Sequence, residues 1–231
     1  MKVQTMQVTL RYEKVRTSND KLEFSEVLSS FTKSNSTQKL DTQETILDFE
    51  RSGEIINFDF FLLKHVKEKI LNNINNGLHR TNSVNISGKT LKKADNIALL
   101  VKDIANYLIF EITETSLVDI SEAVSFCNKL RFLGTQIAID DVNHSEQGLA
   151  LVYALRPEYA KFVLPKNIFE YNKFFTLIST VMAFSPKTTI VIENIETDKE
   201  FYLINDLLPF ALMQGYYFDK GETFVSGLRY Y

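Results

Sequence analysis

Residues 108–141 read LIFEITETSLVDISEAVSFCNKLRFLGTQIAIDD and contain one complete strand–helix–strand unit. Leu108 to Ile112 is a short apolar run, Ile120 to Leu133 has apolar residues at helical spacing, and Gln136 to Ile139 is a second apolar run. Such an alternation is typical of βα units, because a crossover helix returns the chain so that the next strand can pair in parallel. The unit predicts an α/β fold with a parallel sheet.

The same alternation extends in both directions from this unit, from about residue 82 to residue 217. The predicted strands are residues 83–86, 108–112, 136–139, 160–164, 189–192 and 212–217. The predicted helices are residues 91–104, 120–133, 148–155, 174–182 and 200–208. Six strands and five helices are therefore expected in the last two-thirds of the chain.

The first third of the chain is less regular. Met6 to Tyr12 and Leu22 to Phe31 alternate in the manner of half-buried strands, with a turn predicted at residues 17–20 and helices at 43–50 and 58–70. Together these elements give about eight strands, which at 231 residues suits a closed (β/α)8 barrel with a partly antiparallel start. A doubly wound open sheet is the alternative architecture.

The composition argues against several classes of protein. A formal net charge of −3 gives no electrostatic reason for binding duplex nucleic acid, and 45% hydrophobic residues argue against disorder. The N-terminus has no signal-peptide core, and no apolar run reaches the roughly 18 residues of a membrane span. Cys127 is the only cysteine, which fits a reducing compartment. We therefore expect a cytoplasmic chain that binds neither membranes nor duplex nucleic acid.

Polar residues follow the apolar core of each predicted strand, at the end where the active sites of parallel α/β proteins lie. They are Glu26, Asn85, Glu111, Asp140, Asp141, Lys161, Glu193 and Gln214. Several carboxylates at one barrel mouth repel one another unless cations neutralise them. Because carboxylate and amide oxygens suit Mg²⁺ or Mn²⁺, the pattern predicts a metal site and argues against structural zinc.

Each of these residues also has a simpler explanation. An acid or amide after a strand is commonly the N-cap of the next helix. Asp140 and Asp141, however, lie where the chain turns, so that one could bridge two metal ions while the other binds one, as attack on a phosphodiester requires. Lys161 could orient the attacking water or form a salt bridge to Asp141.

Short segments in a fixed order resemble the EAL domain family, the phosphodiesterases specific for cyclic di-GMP. Glu26-Val27-Leu28 is similar to the signature triplet, with Val in place of Ala. The segments that follow in the order of the family are VNIS at 84–87, FEITE at 110–114, IDD at 139–141, YAK at 159–161, IENIE at 192–196 and QGY at 214–216. Because the resemblance covers nearly the whole chain, we expect residues 1–231 to form a single EAL-type barrel domain.

The resemblance implies a TIM-like barrel, with an antiparallel first strand, that binds two Mg²⁺ or Mn²⁺ ions and hydrolyses cyclic di-GMP to linear pGpG. The residues that would hold the first ion are Glu26, Asn85, Glu111 and Asp140. Those that would hold the second ion are Asp140, Asp141 and Glu193. The family also suggests a homodimer.

The expected catalytic residues follow from the same resemblance. Lys161 would act on the attacking water, Gln214 would support the water or the metal shell, and Glu26 would serve both as ligand and as a catalytic group. Glu196 matches the acid that steadies the loop after the two aspartates. All of these positions retain the family residue, which favours an active enzyme.

Three departures from the family pattern concern substrate binding and the loop after Asp141. Glu13-Lys14 stands where the family has Gln-Pro, and Ser30 stands where it has an arginine suited to phosphate. Val142-Asn143-His144-Ser145 replaces Phe-Gly-Thr-Gly. These changes predict lower affinity for the dinucleotide and altered regulation or dimer contacts.

Two functions are therefore considered. The first is a metal-dependent cyclic di-GMP phosphodiesterase. The second is a catalytically impaired EAL-type module that binds cyclic di-GMP or a protein partner. Metal-dependent turnover distinguishes them, since a receptor would leave the dinucleotide intact.

Overall fold

The computed structural model describes residues 6–34, 36–113, 119–142, 146–218 and 220–230. The strands in these residues are β1 (Met6–Arg16), β2 (Leu22–Lys33), β3 (Lys39–Leu40), β4 (Asn82–Ile86), β5 (Leu108–Thr113), β6 (Gln136–Asp140), β7 (Tyr159–Val163), β8 (Thr189–Glu193), β9 (Leu212–Met213) and β10 (Glu222–Tyr230). The helices are α1 (Thr42–Ser52), α2 (Ile55–Asn75), α3 (Ala94–Val101), α4 (Ile120–Arg131), α5 (Glu146–Leu155), α6 (Tyr171–Phe184) and α7 (Asp198–Leu207).

Eight of the strands close into a barrel. Their order is β1–β2–β4–β5–β6–β7–β8–β9, and β9 pairs back to β1 at Met213 and Arg16. The pairs from β2 round to β9 are parallel, whereas β1 is antiparallel to both of its neighbours. The predicted TIM-like (β/α)8 barrel with an antiparallel first strand is confirmed. The open doubly wound sheet is wrong, because the β1–β2 hairpin places β1 in the gap that closes the sheet.

The N-terminal hairpin is longer than the sequence pattern predicted. The pairing of β1 with β2 runs from Met6 opposite Lys33 to Arg16 opposite Leu22. Its outer half lies beyond the barrel, where β10 pairs with β1 and β3 pairs with the end of β2. Many side chains there are only partly buried, so the apolar alternation that marks a strand is weak. Strands β3 and β10 were not predicted from the sequence.

Two other elements are shorter than predicted. The strand expected at 212–217 ends at Met213, because the backbone of Gln214 and Tyr217 turns to hydrogen-bond Ile195. The helix expected at 91–104 is divided into a 3₁₀ turn at 91–93 and α3, which ends at Val101. Both differences are at element ends, where the hydrogen bonds of the regular element are replaced by turn hydrogen bonds or by bonds to another segment.

The interior of the barrel has two layers of opposite character. An apolar cluster takes one side chain from each of seven strands, and we call it the apolar floor: Val15, Phe24, Ile109, Ala138, Tyr159, Val191 and Leu212. Side chains two positions apart on a strand face the same side. The residues two positions nearer the carboxyl ends are polar: Glu26, Glu111, Asp140, Lys161, Glu193 and Gln214. The strand period therefore places a polar layer directly above the floor.

The helices pack on the outer face of the barrel through the larger apolar cluster of the protein. Phe58 and Leu62 of α2, Phe126 of α4 and Ile178 of α6 are buried there against outward-facing residues of the strands. This core packs against the outer face of the barrel, while the apolar floor fills part of its interior. Among the helices that the structure describes, none is long and apolar enough to cross a membrane.

Candidate active site

Lys161 lies at the centre of the polar layer. Its Nζ is 2.9 Å from Glu26 Oε2, 2.8 Å from Glu111 Oε2, 3.1 Å from Asp140 Oδ1 and 2.9 Å from Glu193 Oε1. Only 1% of the side chain is exposed. Burial alone would lower the pKa of Lys161, but the surrounding carboxylates raise it well above its usual value. Lys161 is therefore a protonated donor at neutral pH.

Glu26 accepts hydrogen bonds from three side chains of the layer. Asn85 Nδ2 donates to Oε1 at 3.0 Å, while Lys161 Nζ and Gln214 Nε2 donate to Oε2 at 2.9 and 2.7 Å. Burial would raise the pKa of Glu26, but the charge of Lys161 and these hydrogen bonds bring it below its usual value. Glu26 is therefore held as a carboxylate, and it connects strand β2 to β4, to β7 and to the residue that follows β9.

Glu111 and Glu193 are less well neutralised. Burial and the charges of Glu26 and Asp140 raise the pKa of Glu111 to about 8, although Lys161 lowers it. Burial, with Asp140 and Glu26, also raises the pKa of Glu193 well above its usual value. With Asp141, five carboxylates face one ammonium group, so the layer has a formal excess of negative charge that two divalent cations would balance.

The donors present fit hard divalent cations. Asp140, Asp141 and Glu193 each offer a carboxylate oxygen, and these oxygens lie within 4.8 Å of one another. Buried oxygens of Asn85, Glu111 and Gln214 have no hydrogen-bond partner. Asp140 Oδ1 also has none, despite its proximity to Lys161. Buried oxygen atoms without a hydrogen-bond partner are suited to bind an ion such as Mg²⁺ or Mn²⁺.

The local backbone explains why the two aspartates share one side. Asp141 has a φ of 51°, which is uncommon for a residue other than glycine and turns the chain directly after β6. Val142 N–H then donates to the carbonyl of Lys161 at 2.9 Å, which fixes the turn to β7. As a result Asp140 and Asp141 line the same cavity instead of facing opposite sides of the sheet.

The cavity above the polar layer has a volume of about 490 Å³. Besides the predicted residues it is lined by Glu13, Val163, Asn194 and Tyr216. Glu13 is opposite Glu26 in the β1–β2 pairing and lies two positions before Val15 of the floor. Sequence analysis connected Glu13 with substrate binding through the family resemblance but did not place it beside Glu26 at the polar layer. The strand period of the hairpin was the signal that could have identified it.

A second cavity of about 510 Å³ lies beside the first, and Leu28 lines both. Its walls are largely apolar, with Ile46 and Phe58 among the lining residues. Asn85 reaches it from β4, and Glu50 and Asp59 reach it from α1 and α2. The polar layer therefore has an apolar surface at its edge.

The structure brings together eight of the nine predicted site residues in or directly above the barrel: Glu26, Asn85, Glu111, Asp140, Asp141, Lys161, Glu193 and Gln214. One expectation about them is wrong. Glu26, Glu111 and Lys161 do not follow their strands but lie inside β2, β5 and β7, because their mutual hydrogen bonds satisfy them within the barrel. N-capping is therefore not their role.

Glu196, the ninth predicted residue, lines the mouth of the cavity and is exposed. Its carboxylate pairs with Lys166 Nζ at 3.2 Å, and Lys166 also donates to Glu200 and to the carbonyl of Asn194. The loop that Glu196 was predicted to steady includes residues 143–145, which lie outside the described residues, as does Glu114.

Ser30 lies in the outer half of β2, opposite Thr9.

Gly215, directly after Gln214, allows a close approach of two site loops. A Cβ atom at this position would lie 2.3 Å from the carbonyl oxygen and 2.5 Å from the nitrogen of Ile195, and φ is 146°. We expect Gly215→Ala to lower the free energy of unfolding by about 2–3 kcal/mol, measured by urea denaturation. Gly77→Ala is the control, because φ is 74° there but nothing lies within 4 Å. An equal loss in both variants would contradict the steric explanation.

Comparisons with known proteins agree with this architecture. The sequence pattern described as the EAL domain matches residues 2–220. A search of curated proteins finds no match.

Three solved structures illustrate the likeness of fold. LapD of Vibrio cholerae, an S helix-GGDEF-EAL chain in its apo form, is 21% identical with a TM-score of 0.78, covering 92% of this chain and 53% of that chain. The PaMucR phosphodiesterase in complex with c-di-GMP is 17% identical with a TM-score of 0.78, covering 94% and 97%. An EAL domain protein from Listeria monocytogenes EGD-e is 18% identical with a TM-score of 0.76, covering 93% and 88%. This chain thus spans about half the length of the LapD chain.

Proposed function

The chain belongs to the EAL domain family, and we propose that it is a metal-dependent phosphodiesterase that hydrolyses cyclic di-GMP to linear pGpG. EAL domains are generally cyclic di-GMP phosphodiesterases, although some are inactive. The observation that carries the proposal is the polar layer, in which four carboxylates surround Lys161 and two of them, Asp140 and Glu193, converge with Asp141 at the cavity.

We assign two divalent ions, Mg²⁺ or Mn²⁺, to this layer. The residues proposed for the first ion are Glu26, Asn85, Glu111 and Asp140, and those for the second are Asp140, Asp141 and Glu193. Ions bound there would supply charge neutralisation for the phosphodiester and activation of water at neutral pH. The unpartnered oxygens of Asn85, Glu111 and Asp140 support this assignment.

In the proposed reaction, a water oxygen forms a new bond to phosphorus, one ring P–O bond breaks, and the ring opens to linear pGpG. Lys161 remains protonated and donates hydrogen bonds, so we assign it to orienting the attacking water and to stabilising developing negative charge. Gln214 donates to Glu26 while its own Oε1 has no partner, and that oxygen can accept a hydrogen bond from the water. The apolar floor excludes water from below the reacting groups.

Substrate binding uses the two cavities in this proposal. The apolar wall of the second cavity suits a planar base, while the first cavity holds the phosphodiester beside the polar layer. Glu13 adds negative charge to the first cavity, and Ser30 supplies no charge for phosphate. Both features predict weaker dinucleotide binding than a chain with the family residues would have.

The test is incubation of the purified chain with cyclic di-GMP and Mg²⁺ or Mn²⁺, followed by chromatographic separation of the products. We expect linear pGpG with either ion, none with EDTA, and recovery of turnover when excess metal is restored. The reason is that the uncompensated carboxylates repel an anionic substrate until cations neutralise them.

Intact substrate in every metal condition would contradict the enzyme proposal. The second function, a catalytically impaired module, is favoured by Glu13, which adds negative charge to the first cavity, and by the loss of the family arginine at Ser30; neither change removes a proposed metal residue. A titration of the uncleaved dinucleotide would then separate a receptor from a module that acts through a protein partner. The homodimer and the cytoplasmic location stay predictions.

A further inference from the structure

The loop that follows β4, residues 87–90, is held by carboxylates from two helices. Asp59 of α2 accepts the backbone N–H of Ser87 at 3.1 Å and the hydroxyl of Thr90 at 2.6 Å, both on Oδ2. Glu50 of α1 accepts the hydroxyl of Ser87, and its backbone carbonyl accepts a hydrogen bond from Lys89. We call this loop with its two carboxylates the β4-loop clamp.

Asp59 is an unusual residue for its position. It is 4% exposed, and the other buried side chains of α2 are apolar: Ile55, Phe58, Leu62, Leu63, Val66 and Ile70. A carboxyl in such a place is costly unless it is hydrogen-bonded. Its two donors both come from the β4 loop, so the interaction that keeps Asp59 in the core also fixes the loop.

The clamp is adjacent to a proposed metal residue. Asn85 lies two positions before Ser87, at the point where β4 is about to end. Asn85 Nδ2 donates to Glu26 at 3.0 Å, and its buried Oδ1 has no partner. Only Ile86 separates Asn85 from Ser87, whose backbone N–H is held by Asp59.

We propose that Asp59 is a positioning residue that fixes the β4 loop and thereby aims the Oδ1 of Asn85 at the ion site. This inference rests on the proposed metal-dependent function. Asp59 does not contact the reacting groups and acts through Ser87, Thr90 and Asn85. Groups of this kind typically change metal affinity by about 10- to 100-fold when they are replaced.

Two substitutions of Asp59 separate hydrogen bonding from charge. Asp59→Asn can keep its one oxygen at the Oδ2 position, where it still accepts from both the N–H of Ser87 and the hydroxyl of Thr90. Burial raises the pKa of Asp59 to about 7 despite these hydrogen bonds, so a neutral side chain suits the position. Asp59→Leu has a similar size but leaves both donors of the loop without an acceptor.

The experiment measures Mn²⁺ affinity by isothermal titration calorimetry without substrate, together with thermal unfolding in EDTA. We expect Asp59→Leu to bind Mn²⁺ about 10- to 100-fold more weakly and Asp59→Asn to stay close to the wild type. Glu68→Gln, an exposed acid on the same helix, is the matched control and should not change the affinity. A purely structural role would lower the unfolding temperature of Asp59→Leu and leave the affinity of the folded protein unchanged.

A second variant keeps the inference testable if Asp59→Leu does not fold. Thr90→Val removes one donor to Asp59 and keeps the size of the side chain, so we expect a smaller loss of Mn²⁺ affinity in the same direction. If Asp59→Leu does not fold, wild-type affinity in Thr90→Val overturns the inference. Wild-type affinity in a folded Asp59→Leu also overturns it, and the proposed function then stands. If the wild-type chain binds no Mn²⁺, both the role of Asp59 and the proposed metal-dependent function are overturned.

Discussion

Lys161→Met is expected to lower the turnover of cyclic di-GMP by about 100- to 1,000-fold, the range found for the loss of one preorganised hydrogen-bond donor to the reacting groups. Methionine keeps the buried length of the side chain but removes the ammonium that lies within 3.1 Å of four carboxylates. None of the described residues that line the cavity has a basic side chain, so no neighbour can replace this ammonium. Lys161→Ala should show the same loss. The measurement is the rate of pGpG formation at saturating metal and substrate.

Stability must be followed in the same variants, because the substitution also removes a buried partner of several acids. We expect Lys161→Met to cost about 3–5 kcal/mol of unfolding free energy in EDTA. Added Mn²⁺ should restore much of that loss without restoring turnover, since cations can replace the charge of the lysine but not its directed hydrogen bonds. Lys173→Met, an exposed lysine of α6, is the control. Wild-type turnover in Lys161→Met would refute the assigned role.

Glu26→Gln is expected to lower turnover by about 100- to 1,000-fold, the scale of losing one preorganised electrostatic group. Oε2 of Glu26 accepts from both Lys161 and Gln214, and Oε1 accepts from Asn85. A glutamine has one oxygen and one NH₂ group, so in either orientation a donor faces a donor. The substitution also removes a proposed ligand of the first ion, and Glu26→Ala should be at least as severe.

Turnover at increasing Mn²⁺ concentrations tests the double role of Glu26. If Glu26 is a ligand, the half-saturating Mn²⁺ concentration rises in Glu26→Gln as the maximal rate falls. Circular dichroism should show that the barrel remains folded, since the floor and the outer core are unchanged. Glu23→Gln, an exposed acid on the same strand, should behave like the wild type. An unchanged maximal rate and metal dependence in Glu26→Gln would contradict the proposal.

The barrel itself was largely predictable, because period-2 apolar runs and amphipathic segments alternate so regularly between residues 82 and 208. Closure was predictable from the strand count and from the resemblance of the chain. The outer half of the hairpin and β10 were not, since their side chains are only partly buried and leave a weak pattern. The end of β9 depends on hydrogen bonds to Ile195, which no local pattern reveals.

The sequence predicted which residues belong to the candidate site better than it predicted their positions. Polar residues such as Glu111 and Lys161 stand out in apolar runs, but the sequence placed them after their strands. Their position inside the barrel depends on partners from distant strands, which make burial of a charge acceptable. Glu13 was recognised only as a departure from the family pattern, because its strand runs antiparallel and its position beside the layer depends on register with Glu26. Asp59 was missed because its donors come from a loop 28 and 31 residues away.

The apolar floor determines how molecules move through the proposed reaction. The seven side chains of the apolar floor fill the barrel on the side away from the cavity, so the cavity is closed at that end. A dinucleotide and its linear product would therefore use the same opening. In the proposed reaction, the linear product leaves through the opening by which the substrate enters. Accumulated product would therefore compete with substrate for that opening.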